Sequence, residues 1–342
     1  MRKIRVLVVE DSLLFRELLV KNLNADPGIT VVATARDPYE ARDAIIEYRP
    51  DVMTLDVELP RMDGIEFLRK LMPQHPLPVV VISSLSNKVF EAMNAGAVEF
   101  VAKPVNATRE QLENFMRSEL AVKVKIASIA KVGGWKKQQP EVLSGHLSDK
   151  QKDYVVAIGA STGGTEAIAS VIKEFDTDIP GVVVVQHMPP GFTEMYANRL
   201  NEQCRVRVKE ARTGDVIRPG QVLIAPGGDA HMKIIKQDGV YQVVIRQGPK
   251  VNGHCPSVDV LFESVASVAK DKALGIILTG MGGDGAKGLL AMRNAGARTI
   301  GQDESTCIVY GMPKVAHDIG AVEYQEKLPD IAKRAYSILS KM

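Results

Sequence analysis

The chain has 342 residues, which predicts about two domains at roughly 150 residues each. Lys and Arg number 43 and Asp and Glu 41, so the formal net charge is only +2, which argues against a nucleic-acid-binding protein that relies on a basic face. No stretch approaches the roughly 18 consecutive apolar residues of a membrane-spanning helix, and the first residues lack the small-residue cleavage site of a signal peptide.

The cysteines indicate a reducing environment. Cys204, Cys255 and Cys307 are odd in number and far apart, and none belongs to a C-x-x-C pair. A disulfide framework is therefore not expected. We expect a cytoplasmic protein that binds no nucleic acid, inserts into no membrane and is a monomer.

Charge is distributed unevenly along the chain. Residues 1–120 carry 15 basic and 18 acidic residues, a net of −3, whereas residues 121–152 carry 7 and 2, a net of +5. The basic stretch contains glycines and a proline and loses helical periodicity after about Ala130, which is typical of a flexible linker. Contact of this stretch with an acidic partner is the alternative interpretation. We predict a first domain over 1–122, a linker over 123–152 and a second domain over 153–342.

Short apolar runs alternate with amphipathic stretches in the first domain. The runs IRVLVV, TVVATA, VMTLDV, PVVVIS and VEFVAK are typical of buried parallel strands. Ser12 is placed to cap the first helix. We expect one face of this helix to carry Leu13, Leu14, Leu18 and Leu19. Five β-α repeats predict a doubly wound, flavodoxin-like sheet, which binds ligands at the carboxyl ends of its strands.

The second domain also alternates strands with helices. YVVAIGA, GVVVVQH and ALGIILTG are expected to be parallel strands. Between the last two lies a glycine-punctuated region in which Asp238-Gly239 separates two alternating runs, a strong hairpin signal. We predict an α/β domain with a mainly parallel sheet and a β-hairpin insertion.

Acidic side chains follow strands of the first domain. Glu10 and Asp11 follow the first strand, Asp56 closes the third, and Lys103 closes the fifth. Each acid alone could be a helix cap or loop residue. Together at one sheet edge they would repel one another without a cation, and Mg²⁺ prefers such oxygen ligands. With a metal and an ammonium group nearby, an aspartate can accept a phosphoryl group.

Ser161 and His187 follow two strands of the second domain. Ser161 lies in Gly159-Ala160-Ser161-Thr162-Gly163, which matches the G-x-S-x-G turn that exposes a nucleophilic serine, although a phosphate-binding glycine loop is an alternative. His187 follows GVVVVQ and is a candidate base, although a buried structural histidine is the alternative. His254, beside Cys255, is the strongest rival candidate among the other histidines and could instead line a substrate pocket.

Asp284 follows the strand ALGIILT. Its loop, GMGGDG, has G-x-G-x-x-G spacing with Asp303 about 20 residues further on, which is also typical of dinucleotide binding. An acid in that loop would repel phosphates. A serine, a histidine and an aspartate at one sheet edge form a nucleophile, a base and a group that orients the base. Their chain order differs from that of α/β-hydrolases.

Residues 4–120 resemble the receiver domain of bacterial response regulators, through Glu10, Asp11, Asp56, Ser83 and Lys103-Pro104. The resemblance implies that a histidine kinase phosphorylates Asp56. It implies Mg²⁺ on Glu10, Asp11 and Asp56, Ser83 and Lys103 as partners of the phosphoryl group, and Phe100 at the switch position.

Residues 153–340 resemble the chemotaxis response-regulator protein-glutamate methylesterases (CheB type), through GASTGG, QHMPPGFT, PSVDVLF and TGMGGDG. The resemblance implies Ser161 as nucleophile, His187 as general base, Asp284 as its orienter and the Met281 N–H as oxyanion donor, with no cofactor in this domain. It implies hydrolysis of glutamate γ-methyl esters on methyl-accepting chemotaxis receptors, with release of methanol, and deamidation of receptor glutamines. It also implies that the receiver covers the catalytic cleft until it is phosphorylated.

Two other functions stay open at this point. The second domain could bind a nucleotide or DNA, or the protein could be an inert adaptor that only docks receptors. No basic helix-turn-helix pattern follows residue 150, which argues against DNA binding.

Overall fold

The computed structural model describes residues 2–83, 88–104, 107–133, 147, 151 and 153–342. The chain divides into two compact units, Met1–Trp135 and Lys136–Met342. None of the helices in the described part has the length and apolar character needed to cross a bilayer.

The first unit contains a five-stranded parallel sheet, and all five predicted strands are confirmed. Its strands are β1 (Ile4–Val9), β2 (Ile29–Ala35), β3 (Val52–Asp56), β4 (Val79–Ser83) and β5 (Glu99–Ala102). They lie in the order β2-β1-β3-β4-β5, which is the flavodoxin-like order. Strand β2 lies on one side of β1 and strands β3, β4 and β5 lie on the other, so the carboxyl ends of β1 and β3 flank a crevice where the strand order switches.

Among the described residues, four helices connect these strands: α1 (Leu13–Asn24), α2 (Pro38–Tyr48), α3 (Gly64–Leu71) and α4 (Lys88–Asn94). Strand β5 is followed by α5 (Arg109–Phe115), a π-helical turn (Met116–Leu120) and α6 (Ala121–Ala127). Ser12 caps α1 by accepting a hydrogen bond from the Phe15 N–H, as predicted. The predicted leucine face of α1 is wrong, because Leu13 and Leu14 are 62% and 72% exposed. The buried face is formed instead by Phe15, Leu19, Asn22 and Leu23.

Helix α6 continues the first unit beyond residue 122, where the sequence predicted its end. It packs on β3, β4 and β5 and buries Val124 and Ala127. Lys123 pairs with Glu99 of β5 at 3.1 Å. Residues 134–146, 148–150 and 152 of the predicted linker lie outside the described residues.

The second unit contains a seven-stranded parallel sheet in the order β14-β13-β12-β6-β7-β9-β8. Its strands are β6 (Val155–Ala160), β7 (Gly181–Gln186), β8 (Arg207–Glu210), β9 (Gln221–Ile224), β12 (Ala273–Ile277), β13 (Arg298–Gln302) and β14 (Tyr324–Glu326). Strands β6, β7 and β12 are neighbours. Ser161 and His187 directly follow β6 and β7, and Asp284 lies in the loop between β12 and α10. All three strands are buried, as their apolar sequences predicted.

The predicted hairpin is confirmed as a separate antiparallel pair, β10 (Ala230–Gln237) and β11 (Val240–Gln247). Asp238 and Gly239 both have positive φ, 51° and 83°, which the tight two-residue turn requires. The helices of this unit are α7 (Gly164–Lys173), α8 (Phe192–Gln203), α9 (Val258–Val268), α10 (Ala286–Asn294), α11 (Met312–Asp318) and α12 (Ile331–Leu339). The buried side of the hairpin and α9 share one apolar core.

Candidate functional site

Three carboxylates meet at the crevice of the first sheet. One oxygen each of Glu10, Asp11 and Asp56 lies within 4.8 Å of the other two. The Lys103 ammonium donates to Asp56 Oδ2 at 3.0 Å and to Glu10 Oε2 at 3.3 Å. The other oxygen of Asp56 accepts from the Glu58 N–H at 3.0 Å. The three carboxylates that the sequence predicted at one sheet edge therefore lie close together, and the Lys103 ammonium contacts two of them.

Burial and neighbouring charges both shift the pKa values of this cluster. Burial and the negative charge of Asp56 raise the pKa of Glu10 to about 7, although the Lys103 ammonium opposes this shift. Burial alone would lower the pKa of Lys103, but Asp56 and Glu10 outweigh it and raise that pKa above its ordinary value. Carboxylate groups held this closely need positive charge, which one lysine supplies only in part. An oxygen-only donor set of this kind suits a hard divalent cation.

The two other receiver residues named from the sequence lie on neighbouring strands. Ser83 is the last residue of β4 and is buried. Phe100, on β5, is buried and packs edge-on against Phe90, with ring centroids 6.4 Å apart. Lys123 donates to the Phe100 carbonyl at 2.9 Å.

Ser161, His187 and Asp284 form a continuous chain of hydrogen bonds in the second unit. His187 Nδ1 lies 3.1 Å from Ser161 Oγ, and His187 Nε2 lies 2.9 Å from Asp284 Oδ2. An ionised carboxylate can only accept, so the ring proton is on Nε2 and the Nδ1 lone pair faces the serine hydroxyl. A base aimed at a hydroxyl and held by an acid is the arrangement that activates a serine.

The Asp284 side chain contacts the amino-terminal end of α9. Its Oδ2 accepts from the Val258 N–H at 2.7 Å, and its Oδ1 accepts from the Asp259 N–H at 3.2 Å and from Ser257 Oγ at 2.7 Å. Burial would raise the pKa of Asp284, but hydrogen bonds, first those from His187 and Asn252, hold that pKa well below its usual range. The buried carboxylate is therefore ionised and fixes the proton on His187.

Glycines shape the turns beside Ser161. Gly163 has a φ of 75°, which favours glycine, and is the N-cap residue of α7. A Cβ on Gly280 would lie 2.3 Å from Met312 Sδ and 2.8 Å from Ser161 Cβ. Met281 follows this close approach; its side chain is 42% exposed, and no described residue accepts a hydrogen bond from its main-chain N–H.

The matches to known families agree with this two-unit architecture. The family described as CheB methylesterase matches residues 156–335, and the response regulator receiver domain matches residues 6–115. This chain belongs to the CheB methylesterase family. It is 58% identical over 342 residues to "protein-glutamate methylesterase/protein-glutamine glutaminase 2" of Syntrophomonas wolfei, with 100% of this chain and 99% of that protein covered.

Two further matches to this CheB-family chain come from other bacteria. It is 47% identical over 348 residues to the protein-glutamate methylesterase/protein-glutamine glutaminase of Salmonella typhimurium, with 100% and 98% of the two chains covered. The crystal structure of the Thermotoga maritima CheB methylesterase catalytic domain superposes with a TM-score of 0.53 and 37% identity, over 54% of this chain and 98% of that domain.

Sequence reasoning missed the contacts that the segment between β11 and α9 makes with the side chains of Asp284 and His187. Asn252 donates to Asp284 Oδ1 at 2.9 Å and to Asp259 Oδ2 at 2.7 Å. His254 stacks on His187. The polar run VNGHCPSVD could have indicated these contacts. In it, the sequence indicated His254, with the neighbouring Cys255, only as an alternative to His187.

The positions of Asp303 and Asp284 argue against the dinucleotide-binding alternative in this CheB-family fold. Asp303 accepts from the Ser305 N–H at 2.9 Å and caps a short turn after β13. Asp284, inside the glycine-rich loop, already accepts hydrogen bonds from His187 and from the first residues of α9. The three cysteines are all free thiols, with Cys204 and Cys255 half-buried and Cys307 buried.

Proposed function

We propose that this chain is a phosphorylation-activated serine esterase that hydrolyses glutamate γ-methyl esters on methyl-accepting chemotaxis receptors and deamidates receptor glutamines. The observation that carries the proposal is the hydrogen-bonded series Ser161–His187–Asp284, whose members lie in the loops that follow three adjacent strands. The names of relatives at 47–58% identity support the substrate class.

Ester hydrolysis takes two acyl-transfer steps in this proposal. Ser161 Oγ attacks the ester carbonyl carbon while its proton passes to His187 Nδ1. The bond to the methoxy oxygen then breaks, and methanol leaves with that proton. His187 next takes a proton from water, which attacks the acyl-enzyme. The bond from Ser161 Oγ to the acyl carbon breaks, and the proton returns to the serine, leaving a free glutamate carboxyl group.

Negative charge develops on the carbonyl oxygen in both steps. We assign its stabilisation to the main-chain N–H of Met281, which no described residue engages and which follows the glycine packed against Ser161. Deamidation uses the same steps, because a glutamine side chain presents the same carbonyl carbon. Ammonia then leaves in place of methanol.

In the receiver, we propose Asp56 as the phosphoryl acceptor and a chemotaxis histidine kinase as the donor. The P–N bond of a phosphohistidine breaks as Asp56 forms a P–O bond. The oxygen-only cluster of Glu10, Asp11 and Asp56 fits Mg²⁺, which when bound would neutralise phosphoryl oxygens. Lys103 already contacts Asp56 and would pair with the phosphoryl group, Ser83 at the end of β4 would donate to it, and Phe100 would respond at the switch position.

Methanol release from methylated receptor membranes tests this function. Ser161→Ala should abolish release by the full chain, because loss of an activated nucleophile lowers the rates of serine hydrolases by on the order of 10⁶-fold. Ser305→Ala, a serine at the rival acid Asp303, is the matched control and should be as active as the original chain. Release by Ser161→Ala at more than about a tenth of the normal rate is incompatible with the assignment.

A further inference from the structure

A second imidazole ring lies face to face with that of His187. The ring centroids of His187 and His254 are 3.8 Å apart, and their planes differ by only 9°. We infer that His254 is a positioning residue of the esterase, a flat surface that holds the plane of the His187 ring while this ring accepts and returns the serine proton. The inference rests on the function proposed above.

A tight turn fixes the position of His254. Val251 and His254 exchange two main-chain hydrogen bonds, of 3.0 and 2.9 Å. Asn252 and Gly253 between them both have positive φ, 52° and 84°, as a type I′ turn requires. The Asn252 side chain then ties this turn to Asp284 at 2.9 Å. The stacked ring and the catalytic carboxylate are therefore parts of one rigid arrangement.

The contact between the two histidines is made by ring faces. Among the described residues, none forms a hydrogen bond with a ring nitrogen of His254. Burial, followed by the neighbouring His187, lowers the pKa of His254 to about 4 against the opposing effect of Asp284, and Lys250 adds to the lowering. The ring is therefore neutral near neutral pH. A neutral aromatic face accepts an imidazolium in stacking, whereas a second imidazolium at this distance would repel it.

The geometry explains why the base needs such a surface. His187 must aim Nδ1 at Ser161 and Nε2 at Asp284 simultaneously, and Asp284 holds only one edge of the ring. Rotation about the bond to the ring would carry Nδ1 away from the serine oxygen. A ring packed on the face of His187 blocks that rotation, and a misplacement of about 1 Å in an active site can lower a rate about 100-fold.

Three substitutions in the full chain separate stacking from other roles. His254→Ala removes the ring, His254→Gln keeps a polar group without a ring, and His254→Phe keeps a flat ring without nitrogens. Methanol release gives kcat and KM. The rate at which a fluorophosphonate labels Ser161 reports activation of the serine without any receptor. Circular dichroism and thermal unfolding show that each variant is folded.

Stacking predicts that the Ala and Gln variants lose on the order of 10- to 100-fold in kcat and in labelling rate, with KM unchanged. The Phe variant should recover most of this loss. His317, whose side chain is 53% exposed and lies near Asp318, provides matched controls, and His317→Ala and His317→Phe should behave like the original chain.

Two results would overturn the inference. Rescue by Gln but not by Phe would mean that His254 acts through a hydrogen bond, and full activity of His254→Ala would mean that it does not position the base. If the original chain releases no methanol but is labelled at Ser161, the proposed substrate is wrong. The labelling series then still decides the role of His254.

Discussion

At the scale of single residues, Asp284 determines which nitrogen of His187 carries the proton. Asp284→Asn places an amide where His187, Val258 and Ser257 all donate, so the ring loses the tautomer that leaves Nδ1 free. We expect kcat to fall on the order of 10⁴-fold, as for the corresponding change in serine proteases. Methanol release by the full chain measures this.

Asp303 provides the control for that substitution. Asp303→Asn alters the acid that a dinucleotide site would use, and the esterase account predicts normal methanol release. A severe loss in Asp303→Asn, or near-normal release by Asp284→Asn, would reverse the assignment of the two acids.

The stacked histidine also gives a pH dependence of stability. The pKa of His254 is lowered from 6.5 to about 4 in the folded chain. Between these values the unfolded chain binds a proton here that the folded chain does not bind, so the free energy of unfolding decreases as pH falls. Asp284, with its depressed pKa, stays ionised in this window and loses its contribution only at lower pH.

Calorimetry at pH 7 and pH 5 on the full chain and on His254→Phe measures this effect. The thermal transition of the catalytic unit should fall more between the two pH values in the original chain than in the variant, because the phenyl ring does not titrate. An equal decrease in both would show that His254 does not contribute.

At the scale of elements, strand ends were more predictable than helix faces. A buried parallel strand is a continuous apolar run, so its end, and a residue such as Asp56 or Ser161, can be located from sequence alone. Helix α1 shows the opposite case, since Leu13 and Leu14 are exposed and Phe15 and Leu19 are buried. Several apolar residues in one turn fit more than one face, and only packing against the sheet selects between them.

The contacts of Asp284 were less predictable than its position. Asn252 and Ser257 reach Asp284 across 32 and 27 residues of sequence. No periodicity encodes these hydrogen bonds, because they depend on where the hairpin places the following turn. The run VNGHCPSVD marked the segment as polar but did not indicate that it surrounds Asp284.

The converging strand ends of the first sheet predict metal-dependent phosphorylation. Asp56 should be labelled by a small phosphodonor in the presence of Mg²⁺, because Glu10, Asp11 and Asp56 gather negative charge that Lys103 balances only in part. Mass spectrometry of the labelled full chain locates the phosphoryl group. Asp51→Asn, at the amino end of the same strand, is the matched control and should still be labelled. Labelling that survives Asp56→Asn, or that is indifferent to EDTA, would place the acceptor elsewhere.

At the scale of the whole molecule, one chain combines a receiver unit and an esterase unit. A phosphoryl group adds about two negative charges beside Lys103 and can reorganise the receiver surface around Ser83 and Phe100. We propose that the unphosphorylated receiver restrains the esterase. A coupling free energy of about 1–3 kcal/mol would change activity by roughly 5- to 150-fold.

The most direct test is the initial rate of methanol release by the full chain from methylated receptor membranes, recorded before and after addition of a small phosphodonor with Mg²⁺. The account predicts a several-fold increase in the original chain, no increase in Asp56→Asn, and no release by Ser161→Ala under either condition. Unchanged rates in the original chain would contradict regulation by the receiver, and release by Ser161→Ala would contradict the serine mechanism itself.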